Sequence, residues 1–431
     1  MPAAQAQAVR PRFTRPGTEE SMIRRVLRVL LKAVIAGIAT VVLLIGGLLA
    51  TLWLEHNRTL ELPEPTGPHP VGRVVSAWVD SGRADPFAPT PGVGRELLVW
   101  MWYPAVSPNG EPPSQYLPQF WREAQDTAAS WFLTTFLWRN PAKIRAHSFD
   151  NAGLSSSAMP SYPVVLLRSG IGAAALDYTT LAEDLASHGY IVVSADAPYS
   201  TWAVVMPDGR VIHKTDRGNP GDAVVSEADR DRMLDDLLEV WVADTRFLLD
   251  GVTRLNAESA GRFSGHFDLE AVGVIGHSFG GATSARVCYV DKRCRAGIDI
   301  DGALQGPAMS EGIGRPFMFL LSDHSDLSDP AERSIMDDIR SVASRDSSGG
   351  LVVSFVDAHH FSFSDTPLLQ SRILRSLLVA LGGPGGGLDQ RAGLAMTTRY
   401  VRAFLDVQLR GFSPDALYSV PLMEGAKLGA N

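Results

Sequence analysis

The stretch VGVIGHSFGGATSA, Val272–Ala285, runs four apolar-leaning residues into Gly276-His277-Ser278-Phe279-Gly280 and then continues with small residues. The pentapeptide fits G-x-S-x-G. In that motif a serine sits on a strained strand-to-helix corner, and glycines on either side remove the side chains that would collide there. The run before it has the composition of a buried strand, and GGATSARVC after it that of a helix. This context turns a pentapeptide that also arises by chance into a predicted nucleophile, Ser278, on an elbow built by Gly276 and Gly280.

Working outward, short apolar runs alternate with helical segments from Tyr162 onward. VVLLRS (164–169) and YIVVSAD (190–196) are strand-like, with a helix over Tyr178–Ser187 between them. Val204–His213 has the pattern of a hairpin turning at Pro207-Asp208-Gly209. A long helix is predicted from about Ser226 to Leu255, with Leu234, Leu237, Leu238, Trp241, Val242 and Phe247 at helical spacing. AGIDIDG, FMFLLSD and LVVSFVDA supply further strands, and two helices, about 365–382 and 389–410, close the body. Continuous apolar strands alternating with helices predict an α/β fold whose mostly parallel sheet is covered on both faces.

In such a sheet the functional groups lie at the carboxyl ends of the strands. A serine hydroxyl is a weak nucleophile at neutral pH and needs a base held by an acid. Asp299 and Asp301 close the strand after the elbow. Asp301 ends it, just before Gly302, and is expected to reach the loop layer, whereas Asp299 has the same parity but sits deeper. His359 and His360 directly follow the last strand, and spacing alone does not separate them. An oxyanion needs backbone N–H donors: Phe279, after the serine, supplies one, and the turn at Ser169-Gly170-Ile171-Gly172 offers Ile171 for the second.

The ordered set GPHPVG, YPVVLLRSGIGAAALDYTTLAEDLASHGYIVVSADAP, GHSFGGATSA, AGIDIDGALQG and HHFSFSD resembles the platelet-activating-factor acetylhydrolase family of α/β-hydrolases over roughly residues 65–410. These are calcium-independent serine lipases and esterases, close to the dienelactone-hydrolase and polyester-hydrolase group. The resemblance implies an α/β-hydrolase fold, Ser278 as nucleophile, Asp301 as orienting acid and His360 as base. His360 is chosen because the family's histidine is followed three residues later by a phenylalanine, here Phe363. Ile171 and Phe279 fall on the family's oxyanion positions. One departure stands out: these proteins carry a histidine before the first glycine of the oxyanion loop, and this chain has Ser169. The resemblance further implies an ester or lipid substrate and no cofactor; some members prefer phospholipids with short or oxidised acyl chains.

Composition bounds the partners and the location. With 431 residues, a net charge of −8 and a pI near 5.7, the chain has no broad means of neutralising phosphates, which argues against nucleic acid. Residues 1–32 carry seven Arg and Lys side chains, and the uncharged stretch 33–54 after them is long enough to span a bilayer. Positive charge on its N-terminal side predicts a signal-anchor with the N-terminus in the cytoplasm and the body outside it; the length of the apolar run favours an anchor over a cleaved signal. Residues 55–72, including LPEPTGPHPVG, are expected to be a linker, and 73–431 the catalytic domain. An aromatic-rich segment, about 115–150, has a roughly helical period and is a candidate packed helix or lid. Cys288 and Cys294 are the only cysteines: either one disulfide closes the short loop between them, as an exported location permits, or both are buried thiols. The acidic run SDHSDLSDP (322–330) lacks the glycine and terminal glutamate of a calcium loop and is expected to be a solvated loop capping the next helix, so no metal ligands are assigned.

Overall fold

The computed structural model describes residues 17–107, 110, 112–125, 137–156, 159–222, 225–306, 308–325, 328, 330–345, 350–380, 387–418 and 426–429. The chain divides into two units, Met1–Glu55 and His56–Asn431. The first is carried by helix α1 (Gly17–Asn57), whose apolar side chains from Met22 to Leu49 are exposed. Its stretch Ser21–Asn57, with a mean hydropathy of 2.6 over its most apolar window, is long and apolar enough to cross a membrane.

The second unit is built on a ten-stranded sheet. Its strands are β1 (Val71–Ala84), β2 (Gly94–Pro104), β3 (Ser148–Asp150), β4 (Tyr162–Arg168), β5 (Ile191–Asp196), β6 (Phe267–His277), β7 (Cys294–Ile300), β8 (Phe317–Leu321), β9 (Leu351–Phe355) and β10 (Ala426–Gly429). The spatial order is β10-β9-β8-β7-β6-β4-β5-β2-β1-β3. From β9 to β5 every neighbour is parallel, and antiparallel pairs join β5 to β2, β2 to β1 and β9 to β10. Period-two alternation divides the core between the faces: Val164, Leu166, Val272 and Val274 go to one, Val165, Leu167, Ile275 and Ile298 to the other. That is why Val164–Leu167 and Val272–Ile275 carry no polar side chain. Helices α2 (Thr179–Ser187), α3 (Glu227–Ala257), α4 (Phe279–Val290), α5 (Pro330–Arg345) and α6 (Gln390–Arg410) complete the α/β-hydrolase fold. Ser226 caps α3 by accepting from the Asp229 N–H, close to the predicted start. The Ala203–Val205 and Val211–His213 hairpin also forms where expected.

Three expectations are corrected. The linker 55–72 is not a free stalk. Leu60–Glu61 pairs with Ile144–Arg145, Leu62 is buried, and Thr66 bonds the Asp184 carboxylate on α2 through its N–H and hydroxyl at 2.8 and 2.7 Å. Gly67 lies so close to Ser187 that a Cβ would fall 2.3 Å from its carbonyl. Proline and glycine here serve a docked path rather than freedom. The aromatic segment 115–150 is not one helix: Gln119–Gln125 is helical, but Asn140 and Pro141 start a short 3-10 turn that leads into the extended pieces Ile144–Arg145 and β3. Trp131, Phe132 and Phe136 lie outside the described residues. The helix expected over 365–382 is interrupted after Leu369, because Ser371 accepts the Leu374 N–H and starts a new helix at Arg372.

Candidate active site

Strand β6 delivers Ser278 at φ 56° and ψ −127°, a positive-φ conformation that a residue with a Cβ rarely adopts. The corner is fixed by close backbone contact. A Cβ on Gly276 would sit 2.1 Å from the Gly280 carbonyl oxygen, and one on Gly280 would sit 2.4 Å from that of Arg168. The Ser278 N–H donates to the Ile300 carbonyl at 2.8 Å, stitching the elbow to the end of β7. Phe279 begins α4, so its N–H has no carbonyl partner within the helix and lies at the positive end of the macrodipole. Gly170 packs against the elbow, with a virtual Cβ 3.2 Å from that of Ser278, and this puts the Ile171 turn beside the serine.

The two aspartates at the end of β7, Asp299 within it and Asp301 just past it, separate cleanly. Asp301 also has a positive φ, 54°, and its carboxylate Oδ2 lies 2.8 Å from Nδ1 of His360. Burial alone pushes the Asp301 carboxyl up, but hydrogen bonds from His324 and His360, the nearby His360 and the Ser322 N–H hold it far below the usual carboxylate range. Asp299 points into the core beneath the elbow. Its Oδ1 accepts the Gly302 N–H at 2.8 Å, its Oδ2 has no hydrogen-bond partner, and burial raises its carboxyl well above the ordinary value. Burial therefore favours its protonated form, and the side chain is wedged against Gly281 and Gly302. Of the two histidines, His360 takes the bond to Asp301, while His359 starts the turn His360–Phe363 by accepting the Phe361 N–H.

Two features escaped the sequence. The first is a relay through His277, the variable residue of the elbow. Its Nε2 lies 2.7 Å from the His360 carbonyl and its Nδ1 2.8 Å from the Tyr178 hydroxyl. A carbonyl only accepts, so the proton is on Nε2, and Tyr178 donates to Nδ1. The Tyr178 oxygen in turn accepts the Gly170 N–H at 3.3 Å. One chain of hydrogen bonds thus ties the oxyanion loop, the elbow and the backbone of His360 together. Burial, then the neighbouring His360, pushes the His277 imidazole down to about 4, which keeps it neutral. The second is His324, in the run expected to be a solvated loop. Ser322 is buried, and His324 Nε2 lies 3.0 Å from Asp301 Oδ1. Position at a strand's carboxyl end was the available signal; acidic composition masked it.

Cys288 and Cys294 form a disulfide, with their Cα atoms 5.0 Å apart. Ser169, where the family has histidine, is buried; its carbonyl lies against Gly280. Trp202 is 64% exposed, with the Lys214 ammonium 4.4 Å from its ring centroid, and its backbone N–H donates to the Gly172 carbonyl at 3.0 Å, which ties this aromatic residue to the oxyanion loop.

Residues 255–414, which hold Ser278, Asp301 and His360, match the family model for platelet-activating factor acetylhydrolase, isoform II. A probable 1-alkyl-2-acetylglycerophosphocholine esterase of Arthroderma benhamiae is 27% identical over 270 residues, covering 59% of this chain and 62% of that protein. Platelet-activating factor acetylhydrolase of Cavia porcellus is 24% identical, covering 61% of each. The chain spans about three fifths of the length of these curated relatives. A ferulic acid esterase structure from Streptomyces cinnamoneus superposes with a TM-score of 0.67 at 26% identity, covering 86% of this chain and 99% of that one. The resemblance carried by the motifs therefore extends to the family model, and the fold is shared with a solved esterase.

Proposed function

We propose that this chain is a serine-dependent carboxylic ester hydrolase that works through an acyl-enzyme. Ser278 attacks the ester carbonyl, His360 takes the hydroxyl proton and passes it to the departing alcohol, and Asp301 holds the imidazole in the right tautomer. The N–H groups of Ile171 and Phe279 receive the oxyanion, each worth about 10²–10³ in rate. Water, deprotonated by His360, then releases the acid, and no cofactor is required. The observation that carries this reading is the 2.8 Å Asp301–His360 contact beside a serine held at positive φ between two glycines.

The substrate class we favour is short or oxidised acyl esters of phospholipids or related lipids; the names of the sequence relatives support the acetylated glycerophosphocholine among these. We also read α1 as a membrane anchor that leaves the N-terminus in the cytoplasm and the body outside; the Cys288–Cys294 bond fits that location. A second reading, hydrolysis of esters of aromatic acids, rests on the solved esterase neighbour and on the exposed Trp202 face. Turnover of p-nitrophenyl acetate, a phospholipid with an sn-2 acetyl group and methyl ferulate by the full chain in detergent separates them. Preference for the phospholipid supports the first reading and preference for the ferulate the second; no Ser278-dependent turnover of any of the three contradicts both.

A further inference from the structure

Both oxygens of the Asp301 carboxylate face a histidine. Oδ2 takes Nδ1 of His360 at 2.8 Å; Oδ1 takes Nε2 of His324 at 3.0 Å together with the Ser322 N–H at 2.6 Å. The other ring nitrogen of His324, Nδ1, is bonded to the carboxylate of Glu332 on α5. A neutral imidazole has a single N–H, so a ring with a carboxylate on each nitrogen satisfies both only as the imidazolium. With its side chain 16% exposed, His324 is largely shielded from water.

We propose that His324, clamped by Glu332, is a positioning residue for the catalytic acid: it pins the Asp301 carboxylate toward His360 and, as a cation on the far oxygen of that carboxylate, sets where the acid limb of turnover falls. This rests on the serine-hydrolase reading of Ser278, Asp301 and His360. Asp301 is one negative charge shared between two rings. When His360 takes the serine proton, it meets a carboxylate already paired with a cation, so the proton is held less tightly and is more readily passed to the leaving alcohol. The bonds to Asp301 and Glu332 push the His324 imidazole up to about 9, against the pull of burial, so its charge is constant throughout the acid limb. Asp323 is its neighbour in the same loop and accepts the Asp357 N–H, and the Ser322 hydroxyl lies 3.2 Å from its Nε2. Among the imidazoles of this group, His324 alone has a carboxylate on each side.

The test compares pH profiles of kcat/KM for p-nitrophenyl acetate in the full chain, the His324→Ala variant and the His324→Gln variant, with Ser278→Ala as reference. Glutamine keeps a donor for Asp301 but carries no charge. We expect His324→Ala to lower kcat about tenfold with little change in KM, and to move the acid limb up by about half to one pH unit. His324→Gln should recover most of kcat yet retain the shifted limb. If both variants keep the wild-type limb, the proposal is overturned, whether kcat falls or not, since a merely structural role loses rate without moving the limb. Should His324→Ala unfold, His324→Gln alone decides, by the same limb. Turnover that survives Ser278→Ala contradicts the underlying reading instead, so the two failures are distinct.

Discussion

Replacing Asp299 with asparagine probes whether two carboxylates two residues apart hold opposite protonation states. Asp299 is fully buried, one oxygen is occupied by the Gly302 N–H and the other has no partner, so the folded protein keeps it protonated well above the ordinary carboxyl value. A folded-state value above the unfolded one, near 3.8, gives stability that is fully present below that pH and lost as pH rises toward the folded value. Each pH unit in that interval costs the wild type about 1.4 kcal/mol, which Asp299→Asn does not incur. The asparagine amide places N–H donors where Oδ2 lacked a partner, at a cost of about 1–3 kcal/mol, but that penalty does not vary with pH. The slope therefore carries the test. Urea unfolding from pH 4 upward should show the difference, variant minus wild type, moving in favour of the variant as pH rises. Esterase activity of Asp299→Asn should stay within about tenfold of wild type, because it touches no reacting atom. Asp301→Asn should lose about 10⁴ in kcat through the wrong imidazole tautomer. A flat stability difference, or the reverse order of kinetic damage, would refute the assignment.

Gly276→Ala should abolish measurable turnover and lower the unfolding midpoint, since its Cβ would meet the Gly280 backbone at 2.1 Å and the elbow must open; circular dichroism melts and ester assays read both. His277→Gln should remove an acid instability. With a folded value near 4 against about 6.5 unfolded, the wild type loses about 3 kcal/mol between pH 6.5 and 4 that the variant keeps, and denaturant titration at the two pH values measures it. Asp244→Ala should cost about 3–5 kcal/mol, because Arg95, fully buried and bonded to Asp244 and Asp85 at 2.6 and 2.7 Å, would keep only one carboxylate partner.

Much of this fold is legible because its strands are buried on both faces. Val164–Leu167 and Val272–Ile275 cannot carry polar residues, so they announce themselves as apolar runs. The elbow is legible because Gly276 answers to the Gly280 backbone four residues on, although Gly280 itself answers to the distant Arg168 carbonyl. The preference for Asp301 over Asp299 followed from depth along a strand; Asp301 lies 2.8 Å from His360 Nδ1, and Asp299 accepts the Gly302 N–H. What escaped was set by contacts between distant segments. Thr66 bonding Asp184 turns a proline-rich linker into docked chain, and no local pattern in LPEPTGPHPVG encodes that partner. His324 reaches Asp301 from a loop whose composition resembles solvated acid, and its role exists only once β7 and β8 lie side by side. Tyr178 and His277, 99 residues apart, are likewise joined only by the parallel sheet.

We propose Ser278 as the nucleophile of an ester hydrolase. Incubation of the purified full chain with a fluorophosphonate probe, followed by peptide mass spectrometry, tests it most directly. A single adduct is expected on the peptide containing Gly276–Gly280, lost in Ser278→Ala and strongly slowed in His360→Ala. Labelling that persists in Ser278→Ala, or a folded wild-type chain that hydrolyses p-nitrophenyl acetate without ever forming the adduct, would contradict it.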